Sequence, residues 1–168
     1  YYRWHTDNTI GTAAQINTPQ DSWSTFWRDC RLRPQLALAA QRGHTGRLQR
    51  LGEALCAALP ERLRDHAPPA ALLHGDLWSG NWAMDEHGAP ILFDPAVYYG
   101  DRETDLAMTR LFGGFDPAFY DSYMACAPLP SGHAERVPLY NLYHILNHAN
   151  LFGGGYATQA IALMEKLV

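Results

Sequence analysis

The chain has 168 residues, 47% of them apolar, which is enough material for one compact core. Its net charge of -4, with arginines scattered along its length, lacks the basic excess that a nucleic-acid backbone demands and so argues against that partner. No apolar run approaches the roughly 20 residues that span a bilayer and no charged-then-apolar leader precedes the first motif, so a soluble, cytoplasmic protein without a membrane partner is expected.

Asp21 is expected to cap a helical stretch that runs to Arg42, with Trp23, Phe26 and Trp27 on one apolar face and Gly43 as its stop. Pro34 is expected to divide that stretch in two. Thr45 can cap the next helix, in which Leu48, Leu51 and Leu55 recur at helical spacing until Pro60. The segment from Pro68 to Asp94 differs in kind. Ala71 to Leu73 reads as a short strand, and Asn81 to Met84 with Ile91 to Phe93 reads as a hairpin about Asp85-Glu86-His87-Gly88. Helical patterns return from Asp101 to Phe112, and from Asp116, with Pro117 at the favoured first position, to Cys126. Pro128 and Pro130 mark a break before two last helices, Ser131 to Phe152 and Tyr156 to the end, separated by Gly153-Gly154-Gly155. Tyr140, Tyr143, His144, His148 and Phe152 fall at helical intervals and read as an aromatic-rich buried face. The expected class is α+β, predominantly helical. Cys30, Cys56 and Cys126 are widely separated, odd in number and without a C-x-x-C pair, which suggests reduced thiols.

The chemistry is concentrated in His74-Gly75-Asp76-Leu77-Trp78-Ser79-Gly80-Asn81, a loop between two predicted strands that fits the kinase pattern H-x-D-x-x-x-x-N. Phosphoryl transfer to an alcohol needs a base that orients the hydroxyl and takes its proton, and oxygen ligands that hold magnesium against the phosphates. Asp76 suits the first role and Asn81 the second. Asp94, in Leu92-Phe93-Asp94-Pro95, ends the partner strand, and a turn centred between Glu86 and His87 brings Asn81 and Asp94 to one open end, facing Asp76. One carboxylate plus one amide oxygen suits Mg2+, which usually takes one or two protein ligands beside phosphate and water. His74 is not needed as a ligand.

The string LLHGDLWSGNW followed by ILFDPAVYYGDRETDLAMTRLFGGF resembles the fructosamine (ketosamine) kinases, within the aminoglycoside-phosphotransferase-like branch of the protein-kinase-like fold. Asp7-Asn8-Thr9-Ile10-Gly11, Arg31-Leu32-Arg33-Pro34-Gln35-Leu36 and the run from Asn147 to Tyr156 agree with the same family, so the likeness spans nearly the whole chain. The resemblance implies ATP as phosphoryl donor, Asp76 as catalytic base, and Asn81 and Asp94 as ligands of the magnesium that accompanies ATP. It implies a ketosamine acceptor, such as fructosyl- or ribulosyl-lysine, free or protein-bound, whose phosphorylation permits deglycation. Trp78 is the candidate for stacking on the sugar, Asp7, Asn8 and His148 are further candidates for acceptor binding, and His74 and Asp105 are expected to support the loop. Another small alcohol, such as an aminoglycoside, choline or homoserine, is the alternative acceptor, and a non-catalytic binding module the alternative of another class.

A whole kinase of this kind also needs a phosphate-covering loop and a strand lysine ahead of the catalytic loop. The one lysine is Lys166, and the glycine runs at Gly113-Gly114 and Gly153 to Gly155 follow predicted helices. Residues 1–168 are therefore expected to form a C-terminal catalytic lobe, inactive without an N-terminal nucleotide-binding lobe, its partner in the same protein.

Overall fold

The computed structural model describes residues 1–168. Two short strands open the chain, β1 (Asn8–Ile10) and β2 (Ala13–Gln15), paired antiparallel with Asn8 opposite Gln15. Helix α1 (Trp23–Phe26) follows, capped by the Ser22 hydroxyl one residue later than expected. It passes without interruption through a π-helical segment, Trp27–Leu32, into α2 (Arg33–Gln41). Pro34 therefore does not split the stretch, because its missing N–H is accommodated by widening: Arg33 N donates to Arg28 O, one residue further back than in an α-helix. The Cys30 carbonyl, which would have received the Pro34 N–H in a regular helix, accepts instead from the Arg31 guanidinium at 2.8 Å.

Helix α3 (Arg47–Arg62) starts from Gly46 with no side-chain cap, so Thr45 does not serve, and Pro60 lies within its last turn. Strand β3 (Ala71–Leu73) pairs antiparallel with β6 (Tyr98–Gly100), which the sequence did not signal as a strand. Between them β4 (Trp82–Met84) and β5 (Pro90–Leu92) form the expected hairpin, with Trp82 opposite Leu92. The register is one residue from that expected. The Asp85 side chain accepts from His87 N and Ala89 N, and Asp85 N donates to Ala89 O, which lengthens the connection by one residue. Helices α4 (Glu103–Thr109), α5 (Pro117–Cys126, capped by Asp116), α6 (His133–Phe152) and α7 (Tyr156–Leu167) complete the chain. About half of the residues are helical, and three two-stranded sheets sit on the helical body. No helix is long and apolar enough to cross a membrane.

Helix α6 is the central element, packed on α2, α4 and α7. Leu139, Leu142, Ile145 and Leu146 are buried on it, facing a core that includes Trp23, Phe26, Trp27, Leu55, Leu59 and Met164. Each such aliphatic side chain contributes roughly 1.5–3 kcal/mol on leaving water. Tyr140, Tyr143 and His144 are buried on α6 as expected, Tyr140 edge-on to Trp23 and Trp27 and Tyr143 edge-on to Trp27, and buried amides lie among them, whereas Phe152, expected to be buried, is 69% exposed at the helix end. Tyr143 donates to Gln15 Oε1 at 2.8 Å, Gln35 donates to Asn147 Oδ1 at 3.1 Å, and Asn150 donates to Gln35 Oε1 at 2.7 Å. These bonds fix β2 and α2 on α6.

Arg31 is wholly buried with no carboxylate beside it. Its charge is offset by the carbonyls of Ile16 and Cys30, by Asn17 Oδ1 at 2.9 Å and by the face of Tyr98, 3.9 Å from the guanidinium carbon. A second anchor lies where β6 meets α4. Asp101 accepts from Tyr140 at 2.6 Å and pairs with His66 at 2.6 Å, and Trp23 Nε1 donates to that same Tyr140 oxygen. Glu103 beside it is clamped by both nitrogens of the Arg136 fork. With these groups taken, His66, Asp101 and Glu103 tie β6, α4 and α6 together.

Candidate active site

The loop after β3 is shaped by a carboxylate on another element. Asp105, in the first turn of α4, accepts from His74 N at 2.7 Å and Gly75 N at 2.9 Å. Burial pushes its carboxyl pKa up, and the two backbone donors oppose that rise. Gly75 is required at the bend for two reasons: its φ is +82°, and a Cβ there would lie 2.0 Å from Ala96 O. The close approach is held from the other strand, since Ala96 N donates to His74 O at 2.8 Å.

His74 ties the loop to the end of the hairpin, and its hydrogen bonds fix its tautomer. Nδ1 accepts from Asp76 N at 3.3 Å, so Nε2 carries the proton and donates to Phe93 O at 2.9 Å. The next residue, Asp94, has φ +52°, the one non-glycine residue in the left-handed region. Such a conformation costs about 1 kcal/mol or more and persists only where the surroundings impose it. Here the surroundings are the His74 bond before it and, after it, Gln15 Nε2 donating to Ala96 O at 2.9 Å.

Asp76, Trp78, Asn81 and Asp94 line one open cleft of about 400 Å³ together with Thr9, Gly11, Pro95 and Ala96. Asn81 is buried, and its Nδ2 donates to Asp76 O at 2.9 Å and Asp76 Oδ2 at 3.2 Å. Its Oδ1 is thereby left as the acceptor facing the cleft. Asp94 is exposed and its carboxylate has no cationic or donor partner in the chain. Two hard oxygen donors, one neutral and one anionic, fit a magnesium ion that completes its shell with phosphate and water. Burial pushes the Asp76 carboxyl pKa up, opposed by His74, His148 and the Asn81 hydrogen bond and reinforced by Asp94. A carboxylate made more basic in this way suits proton acceptance.

The remaining candidates divide. Trp78 faces Phe112 edge-on at 6.2 Å, Phe112 lies 4.6 Å from His148, and His148 lies 5.2 Å from Tyr156. A continuous aromatic wall therefore leads from the loop after β3 to His148, whose Nδ1 bonds to His144 O at 2.8 Å. Asp7 and Asn8 are not on the cleft. Asp7 Oδ1 accepts from Asn17 N, and Asn8 donates to Val97 O while accepting from Gln15 and Asn17, so both hold the first hairpin in place. Thr9 and Gly11 reach the cleft instead; Thr9 follows Asn8 in β1 and so faces the opposite side of the strand. His144 was read as core. It is buried on α6, yet its Nδ1 lies 3.9 Å from Asp76 Oδ1.

The fructosamine kinase family model matches residues 1–168. A Synechocystis sp. protein named as a probable ketoamine kinase is 50% identical over 165 residues, covering 98% of this chain and 55% of that protein. A probable ketoamine kinase of Vibrio parahaemolyticus is 46% identical, over 99% of this chain and 57% of its own length. Among solved structures, a Thermobifida fusca protein assigned as a fructosamine-3-kinase superposes with a TM-score of 0.90 at 36% identity, covering 99% of this chain and 58% of that one. A Haemophilus somnus protein with the same assignment gives 0.88 at 29% identity, covering 99% of this chain and 56% of that one. The chain spans a little over half the length of the curated relatives it matches. The family model's match across residues 1–168, together with relatives and solved structures that cover 98–99% of the chain, means that the chain belongs to the fructosamine kinase family.

Proposed function

We propose that the protein phosphorylates a sugar hydroxyl of a ketosamine with ATP, and that residues 1–168 are the acceptor-binding, metal-binding lobe of that kinase. The observation that carries this reading is the convergence of Asp76, Asn81 and Asp94 on one cleft whose flank, Trp78 to His148, is aromatic. An apolar ring face beside a carboxylate is a surface on which a polyol can stack while presenting a hydroxyl. Asp76 accepts the hydrogen bond of that hydroxyl and takes its proton as the oxygen bonds to the γ-phosphorus and the bond to ADP breaks. Asn81 stays bonded to Asp76, so the base and the metal oxygen move as one unit. Magnesium, held by Asn81 Oδ1 and Asp94, would supply charge neutralisation on the phosphates. The nucleotide side of the cleft, with its phosphate-covering loop and lysine, belongs in this reading to a preceding lobe in the remaining length that the relatives possess. Positioning supplies most of the rate in phosphoryl transfer, so the 168 residues alone turn over slowly or not at all.

The test is transfer from ATP, with magnesium, to fructosyl-lysine, ribulosyl-lysine, kanamycin and choline by the protein carrying both lobes. The ketosamines should be phosphorylated and the other two not, and Asp76→Asn should lower turnover by roughly 10²–10⁴-fold. Preference for kanamycin or choline would reassign the acceptor, and an unimpaired Asp76→Asn enzyme would remove the mechanism.

A further inference from the structure

We infer that His144 is a positioning residue for the catalytic base: its Nδ1–H is the donor that holds Asp76 Oδ1 and fixes the carboxylate toward the acceptor hydroxyl. The inference rests on the phosphotransfer reading above and goes beyond it to a residue on a different element of the fold.

The starting point is an orphan. His144 has 5% of its side chain exposed, and its Nδ1 has no hydrogen-bond partner in the chain. Buried polar atoms are nearly always paired, so one left open calls for a reason. Tyr143 is bonded to Gln15, Asn147 to Gln35 and His148 to the His144 carbonyl, while Asn141 Oδ1 and Asn150 Oδ1 are open acceptors, so what sets His144 apart is the carboxylate beside it. The bonded groups fix the helix, and Asp76 Oδ1 lies 3.9 Å from His144 Nδ1. A shift of about 1 Å in the carboxylate or the ring would bring the pair within hydrogen-bond distance.

The protonation state follows from the surroundings. Burial first, then the positive fields of His148 and Arg31, push the imidazole pKa down to about 3, so it is neutral at physiological pH. A neutral imidazole has one N–H. With the proton on Nε2, a lone pair on Nδ1 would face a carboxylate oxygen, acceptor against acceptor. With the proton on Nδ1 the contact is attractive, and the donor adds no net charge beside the phosphates. Asp76 Oδ2 already receives Asn81 Nδ2 at 3.2 Å. His144 on Oδ1 gives the carboxylate a second donor, leaving its remaining lone pairs for the substrate. As the acceptor docks and displaces water from the cleft, a hydrogen bond to the anion strengthens and the carboxylate loses freedom to rotate.

The first measurement needs no turnover. Long-range ¹H–¹⁵N spectra of the imidazoles in this chain should show His144 neutral with the proton on Nδ1, and the Nε2–H tautomer would overturn the inference. The second is a double-mutant cycle in the transfer assay with the two-lobe protein. His144→Leu should lower kcat by about 10- to 100-fold, the range for a hydrogen bond to a charged group, with KM for ATP unchanged. In an Asp76→Asn background the same change should cost less than about 3-fold. His144→Asn, whose amide reaches the Nδ1 position, should recover most of the loss, and His144→Gln, which reaches the Nε2 position, should not. An equal loss in both backgrounds would make His144 merely structural. If Asp76→Asn itself has no effect, the proposed function fails, and the tautomer still judges His144.

Discussion

Acidification from pH 7 to pH 5 should destabilise the wild-type chain by about 2 kcal/mol more than a His144→Leu variant. The magnitude follows from the buried imidazole. Its folded-state pKa is pushed down to about 3, against about 6.5 in an unfolded chain. Between those values the unfolded state binds a proton that the folded state refuses, so stability falls as pH falls. The loss begins below pH 6.5 and is complete only below the folded value. At pH 5 the gap opened is about 1.5 pH units, each equivalent to ~1.36 kcal/mol, which gives the stated figure. No discount for solvent screening applies, because the ring is buried, with the Asp76 carboxylate of the loop after β3 at 3.9 Å. Leucine occupies a similar volume, removes the titrating group and leaves no orphan nitrogen. Urea unfolding of both proteins at pH 7 and pH 5 measures the difference, and all other ionisable groups cancel between them to first order. For a chain of this size the relative shift in Tm should be roughly 4–8 °C. Parallel losses in the two proteins would show that His144 titrates freely, and the account of its neutral donor role would fall with them.

Gly75→Ala should cost at least about 3 kcal/mol in urea unfolding, since it combines a positive φ with a Cβ 2.0 Å from Ala96 O. Gly88→Ala provides the contrast: φ is +78° but nothing lies within 4 Å, so only the conformational cost of about 1 kcal/mol is expected. Equal losses would deny the close approach of the loop to Ala96. Asp105→Ala leaves two buried backbone N–H groups, those of His74 and Gly75, without an acceptor, at about 2–5 kcal/mol in total. Calorimetry should show Tm falling by roughly 5–15 °C, and an unchanged Tm would mean that water replaces the carboxylate.

The sequence by itself determined that Asp76, Asn81 and Asp94 would lie together, and most of the helices. Asp76, Asn81 and Asp94 lie within one loop and one hairpin, where chain connectivity alone brings them to a common end, and the one-residue change in register left Asn81 and Asp94 there. Periodic apolar residues likewise announced α3, α6 and α7, because a helix face repeats locally. Tertiary structure decided what depended on distant partners. Three-residue strands such as β1, β2 and β6 carry too few side chains to show alternation, and their pairing is set by Gln15, Arg31 and the β3 edge. Asp7 and Asn8 are tied by hydrogen bonds within and behind the first hairpin, while Thr9 and Gly11 line the cleft. The approach of His144 to Asp76 required α6 to be pinned by Gln15 and Gln35, contacts between residues more than a hundred positions apart. Local spacing encodes what neighbouring residues can do together; which far-off side chain arrives beside them is fixed only by packing and by the pairing of buried polar groups.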